Sequence, residues 1–184
     1  MTQSAKRWTR EEAAALSDGG CRYEVVDGEL LVSPTPHGRH QRAVVDIEAQ
    51  LERYVRNFHL GYTGTAPADL DLGSGQLVQP DLFVSPLKVT PAEEGPDSTI
   101  PILIIEVISP STAHADRFDK RHCYQRAGVP TYWIVHLEGR LVEVWRPGML
   151  HPEIADQQLE WCPDPAVPPL AIDLTRLFHE VWAE

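Results

Sequence analysis

The sequence predicts an α/β domain, and three of its stretches carry that expectation. Residues 38–58 place Val44, Ile47, Leu51, Val55 and Phe58 at steps of three and four, one face of a long amphipathic helix. Residues 100–108, IPILIIEVI, are the most apolar run of the chain and have the length and β-branched content of a fully buried central strand. Residues 23–32 and 131–145 read as hairpins folded around Asp27-Gly28 and Glu138-Gly139.

The other elements follow in order. Thr9 and Glu12 form a capping-box pattern ahead of Ala13 to Leu16, a short helix stopped by Gly19 and Gly20. Pro34 and Pro36 end the first hairpin. On the long helix Arg39, Arg42, Arg53 and Arg56 are offset by Asp46, Glu48 and Glu52, the pattern of a solvated face, and Gly61 closes it. Short strands are expected at 62–66 and 69–72, and a more apolar one at 77–84 (LVQPDLFV) after Gly73 and Gly75. A polar loop covers residues 90–99. Ser109-Pro110-Ser111-Thr112 breaks the central strand, and a second helix is expected over 115–127, ending at Gly128. After Pro147 the pattern weakens, leaving only a terminal helix near 175–182.

With 184 residues, the chain suits one domain, 1–184, with a buried core. Its 16 basic and 27 acidic residues give a net charge of −11, which argues against binding nucleic acid by bulk charge. A nuclease stays compatible with it, because a metal ion and a local basic patch can supply the attraction. Cys21, Cys123 and Cys162 form no CxxC pair, and the N-terminal stretch lacks the apolar run of a signal peptide. No segment is apolar enough to span a membrane. A reducing, cytoplasmic setting is expected.

Glu106 lies inside the most apolar strand, where an ionised carboxylate is costly unless it is paired, metal-bound or near the strand's end. Asp81 follows Pro80, and a proline marks a strand start, edge or bulge. Carboxylates from two neighbouring strands make a hard oxygen site suited to Mg2+ or Mn2+. Asp116, Lys120 and Tyr124 recur at steps of four on the second helix. Such a stripe serves equally as an ion pair with an aromatic neighbour, but packed beside the strand Lys120 would reach the carboxylates. Tyr124 fits core packing as well. Arg117, Lys120, Arg121 and Arg126 make this helix locally positive, a hint of phosphate contact.

YEVVDGEL at 23–30, SPTP with His40, QPDLFV with Pro80-Asp81, and IIEVISPSTAHADRFDKRHCYQRAGVPTYWIV at 104–135 together resemble the Uma-two family of endonucleases, within the PD-(D/E)XK restriction-endonuclease-like superfamily. The resemblance covers about residues 23–145. It implies a restriction-endonuclease-like fold, a mixed central sheet flanked by helices, and metal-dependent cleavage of phosphodiesters in nucleic acid, with DNA first. It assigns the motif aspartate to Asp81 and the second acidic residue to Glu106. Ile108 stands where the superfamily's lysine is expected, and Lys120 looks like its displaced replacement. Glu24 resembles the family's early glutamate, which implies a further catalytic carboxylate at the site. The backbone carbonyl of Val107 would join Asp81 and Glu106 as a metal ligand. His40 matches a family position of open role, a helix-terminal hydrogen bond being its plain alternative. His136 departs from an acidic residue usual in such sequences.

Other functions remain compatible with these residues: a non-catalytic binding or assembly module, favoured by the charge and the displaced lysine, and a hydrolase of small phosphodiesters. A homodimer is an expectation, with Trp145, Trp161 and Trp182 as interface or core residues.

Overall fold

The computed structural model describes residues 6–16, 20–34, 38–73, 75–87, 99–108 and 113–183. The capping box forms as expected: Thr9 Oγ1 accepts from the Glu12 N–H, and the Glu12 carboxylate accepts from the Thr9 N–H, opening α1 (Arg10–Ala14). β1 (Cys21–Val26) and β2 (Glu29–Pro34) pair antiparallel across Asp27 and Gly28, both at positive φ. α2 (Gly38–Asn57) turns Val44, Ile47, Leu51 and Val55 into the core.

The main sheet has six strands in the order β3 (Tyr62–Thr65), β4 (Leu82–Ser85), β5 (Leu103–Ile108), β6 (Tyr132–His136), β7 (Leu141–Trp145) and β8 (Glu153–Ala155). β5 and β6 pair parallel and the other neighbours antiparallel, so the sheet is mixed. A parallel pair needs a crossover. A π-helical turn, Ala115–Lys120, running into α3 (Arg121–Arg126) is part of that connection. β9 (Gln158–Trp161) and β10 (Leu170–Asp173) form a second small ribbon, and α4 (Leu174–Trp182) follows.

Strand alternation sorts the core into two layers. Leu103, Ile105 and Val107 of β5 pack with α2, α4 and the β9–β10 ribbon. Ile104 points the other way, toward Tyr124 of α3, Tyr132 and Val26 of the first hairpin. Glu106 shares this second face. A long helix on one face and the crossover plus hairpin on the other leave β5 dry on both sides, which is why it reads as a continuous apolar run.

Several expectations need correction. The strand at 77–84 is interrupted: Leu77 and Val78 make isolated bridges to Val25 and Leu70, Pro80 breaks the ladder, and regular pairing begins only at Leu82. Residues 69–72 contribute a single bridge rather than a strand. The second helix is π-wound over its first six residues. Three strands that the weak pattern after Pro147 did not reveal lie there. Trp145 and Trp161 are buried core residues, and Trp182 packs partly against the core, donating its indole N–H to the Leu137 carbonyl. The Ser109-to-Thr112 break and most of the polar loop at 90–99 fall outside the described residues. Among those described, the three cysteines are free, and no helix is long and apolar enough to cross a membrane.

Candidate active site

Four carboxylates converge beneath the crossover, each delivered by a different segment. β1 alternation sends Arg22, Glu24 and Val26 to one face of the hairpin. Glu24 is fully buried and its Oε1 accepts from the Gln79 N–H at 2.8 Å. Glu106 projects from β5, and Asp116 from the π turn. Asp81 precedes β4. Continuing the Leu82–Ile105 register by two residues brings Val107 opposite Pro80. The ladder stops there: the Val107 N–H donates to Asp81 Oδ2 at 2.9 Å, and Pro80 has no N–H to offer the Val107 carbonyl. The backbone thus ties the Asp81 carboxylate to the strand that carries Glu106.

Lys120 sits at the centre, 3% exposed, with Nζ at 2.9 Å from Glu24 Oε2, 3.0 Å from Glu106 Oε1 and 3.3 Å from Asp116 Oδ1. Tyr124 OH donates to Glu106 Oε1 at 2.9 Å. The four-residue steps therefore do bring Asp116, Lys120 and Tyr124 to one side, despite the π winding. Such windings recur at functional sites. Tyr132 OH donates to the Asp116 carbonyl at 3.0 Å and pins the widened turn to β6.

His40, on the first turn of α2, does not make a helix-terminal bond; its Nε2 lies 2.9 Å from Asp81 Oδ2. An ionised Asp81 only accepts, so this contact places a proton on Nε2. Arg22, which sequence analysis did not single out, donates from Nη2 to Asp81 Oδ1 at 2.8 Å and from Nη1 to the Gln79 carbonyl at 2.6 Å. Its signal was the alternation of CRYEVV, which puts it on the same face as Glu24.

The electrostatics follow from burial and charge count. Burial pushes the Glu106 carboxyl well above the usual carboxylate range; Lys120 opposes the rise, and Asp116, Asp81 and Glu24 add to it. Burial alone would lower Lys120, but Glu106, Glu24 and Asp116 hold it well above its ordinary value, as an ammonium. Burial would raise Asp81 as well, yet the hydrogen bond and charge of His40, with Arg22, hold it at about 2. Burial drives the Tyr124 and Tyr132 hydroxyls upward, so both stay protonated donors. Four carboxylates face two permanent cations, Arg22 and Lys120. The surplus is negative, and together with burial it favours the protonated form of Glu106.

The donor set suits a hard divalent cation. Mg2+ is usually held by one or two carboxylates, with waters and substrate phosphate completing its shell. Asp81, Glu106 and the Val107 carbonyl supply this kind of set. Among the described residues no three acidic, histidine or cysteine side chains form a metal cage by themselves. The carboxylates converge on Lys120 and Arg22 instead.

The locally basic helix is more engaged than its sequence suggests. Lys120 is buried, Arg117 pairs with Glu143 at 3.1 Å, Arg126 pairs with Asp27, and Arg121 lies over the Trp145 ring. His136 bonds Glu143 Oε1 at 2.9 Å, away from the carboxylate cluster. Beside Asp81 a cleft of about 380 Å3 opens, its wall including Arg22, His40, Gln41, Val44, Pro67 and Gln79.

A mixed six-stranded sheet between two helical layers, with buried carboxylates and a lysine gathered on one face, defines a restriction-endonuclease-like architecture. A family model described as "Putative restriction endonuclease", Uma2, matches residues 10–175, and the chain belongs to that family. The fold is similar to a crystal structure from Anabaena variabilis described as "a putative nuclease belonging to DUF820", at a TM-score of 0.73 and 20% identity, covering 95% of this chain and 99% of that one. No protein with a curated description matches.

Proposed function

We propose that this protein is a Mg2+- or Mn2+-dependent endonuclease that hydrolyses phosphodiester bonds of nucleic acid, DNA first. Family membership supports the nuclease class, and one observation carries the finer proposal: Lys120, displaced from the position two residues after Glu106, still places its ammonium 3.0 Å from Glu106 Oε1. That contact supports reading Lys120 as the displaced catalytic lysine, brought to Glu106 by the crossover helix.

Asp81, Glu106 and the Val107 carbonyl are the ligands we assign to the cation. When bound, it supplies charge neutralisation at the phosphoryl oxygen and lowers the pKa of a water. The chain's own groups do the rest. Lys120 orients the attacking water and stabilises charge developing on the phosphate. Tyr124 fixes the Glu106 rotamer by its hydroxyl bond. His40 and the Val107 N–H hold Asp81 ionised and aimed. Glu24 and Asp116 position Lys120 and keep it charged.

The test is nicking of supercoiled plasmid with Mg2+ or Mn2+, beside EDTA and an Asp81→Ala variant. Metal-dependent nicking that the variant loses is the expected result. Equal nicking by both proteins, or none with any metal, would overturn the assignment. Cation binding without cleavage would favour a binding module that keeps the nuclease fold.

A further inference from the structure

Arg22 has a place in this cluster that ion pairing alone does not explain. Its side chain is 14% exposed and forms part of the cleft wall next to Asp81. Among the described residues lining that cleft it is the sole permanent cation. Its fork spans two acceptors, Asp81 Oδ1 through Nη2 and the Gln79 carbonyl through Nη1.

The Asp81 oxygens are divided between donors. Oδ2 accepts from His40 and from the Val107 N–H, while Oδ1 faces Arg22. A hard cation reaching Asp81 through Oδ1 and the Arg22 guanidinium repel each other and want the same lone pairs. A guanidinium released from a carboxylate at a cleft wall is, in turn, well matched to a phosphate, whose oxygens it engages in the same planar, two-pronged way.

We propose that Arg22 is the phosphate-binding residue of this cleft: it exchanges its Asp81 contact for a phosphodiester oxygen when Asp81 takes up a divalent cation. The inference rests on the metal-dependent function proposed above. It makes one guanidinium the link between cation binding and substrate binding, so that the two are coupled through Asp81 Oδ1.

The test is calorimetric and needs no turnover. Ca2+, and then thymidine bisphosphate in saturating Ca2+, are titrated into the wild-type protein and into Arg22→Gln and Arg22→Lys. Arg22→Gln should bind Ca2+ more tightly than wild type, because the competing cation is gone. It should bind the bisphosphate about ten- to a hundredfold more weakly, the loss of a charge-assisted hydrogen bond. Arg22→Lys keeps the charge but not the fork, and should shift both affinities in the same directions by less; it decides the matter if Arg22→Gln does not fold. A purely structural Arg22 would leave bisphosphate affinity unchanged and would leave Ca2+ binding equal or weaker, and either result overturns the proposal. Failure of the wild-type protein to bind Ca2+ would overturn the metal-dependent function itself, and this inference with it.

Discussion

Replacing Lys120 by Met removes the single cation that three buried carboxylates share. The magnitude follows from the geometry. Nζ lies within 3.3 Å of Glu24, Glu106 and Asp116, and the side chains are at most 3% exposed, so solvent cannot take over the neutralisation. Breaking a buried pair by removing one partner costs about 3–5 kcal/mol. For a chain of this size each kcal/mol moves Tm by about 2–4 °C, so Lys120→Met should melt about 6–20 °C below wild type at pH 7. Lys120 has a raised folded-state pKa. Its contribution is therefore complete below its unfolded value near 10.4 and is lost only as pH rises through the higher folded value. In the variant the deficit should shrink on acidification, because Glu106, raised by burial, takes up a proton and removes part of the repulsion. Urea unfolding at pH 7 and pH 5, for Lys120→Met, Glu106→Gln and the double variant, measures this directly. The double variant should recover part of the single-variant loss. A Lys120→Met cost below about 1 kcal/mol, or one unchanged in the Glu106→Gln background, would refute the shared-ammonium arrangement.

Three further outcomes are expected. Asp81, held at about 2, stabilises the fold above its unfolded pKa of about 3.8 by about 2 kcal/mol, and that contribution is lost as pH falls through about 2; acid unfolding of Asp81→Asn should lack this component, and a curve identical to wild type would count against it. Tyr124→Phe keeps the ring and loses only the bond to Glu106, so it should fold with a cost of about 1–2 kcal/mol while plasmid nicking slows markedly; nicking at the wild-type rate would show that Tyr124 does not position Glu106. Gly61→Ala would put a methyl group onto the Ser85 carbonyl oxygen at a φ of +151°, whereas the same change at Gly73, also strained at a φ of +80°, meets nothing within 4 Å; the unfolding free energy should fall further for Gly61→Ala, by more than about 2 kcal/mol, and equal losses would contradict the packing of β3 on β4.

How much of this was legible in the sequence depended on whether a signal was local. β5 announced itself because both its faces are dry, and Glu106 stood out as the ionisable residue inside it. Asp81 was marked by its proline, and the structure gives the reason: Pro80 ends the ladder where the carboxylate takes over the Val107 N–H. α2 and the two hairpins were carried by periodicity and turn residues. The short strands β8, β9 and β10 were hidden among prolines and polar residues: β8 is a largely exposed edge strand, and β9 and β10 are buried through long-range contacts of Leu159, Trp161 and Ile172 with the α2 layer. The π winding was not legible because a spacing of four residues serves either helix type. Glu24 came only from family resemblance. Arg22 was missed because an arginine near the start of a strand is ordinary until its partner, 59 residues away, is known.

The separate sheet formed by β1 and β2 has a consequence for how the site is put together. Glu106, Lys120 and Tyr124 all belong to one strand–helix–strand unit, residues 103–136, and stay together as long as that unit does. Arg22 and Glu24 arrive on a ribbon joined to the rest of the chain by the Val25–Leu77 bridge, a small apolar cluster around Ala13, the packing of Val26 in the second core layer and a few side-chain bonds. Partial opening of that ribbon would withdraw one positive and one negative charge together. The main sheet would remain intact, Asp81 would lose its guanidinium, and Lys120 would keep two carboxylates instead of three. The ribbon thus carries a share of the charge balance on a sheet separate from the rest, and amide hydrogen exchange in Arg22 to Val26 would report whether the two parts open apart.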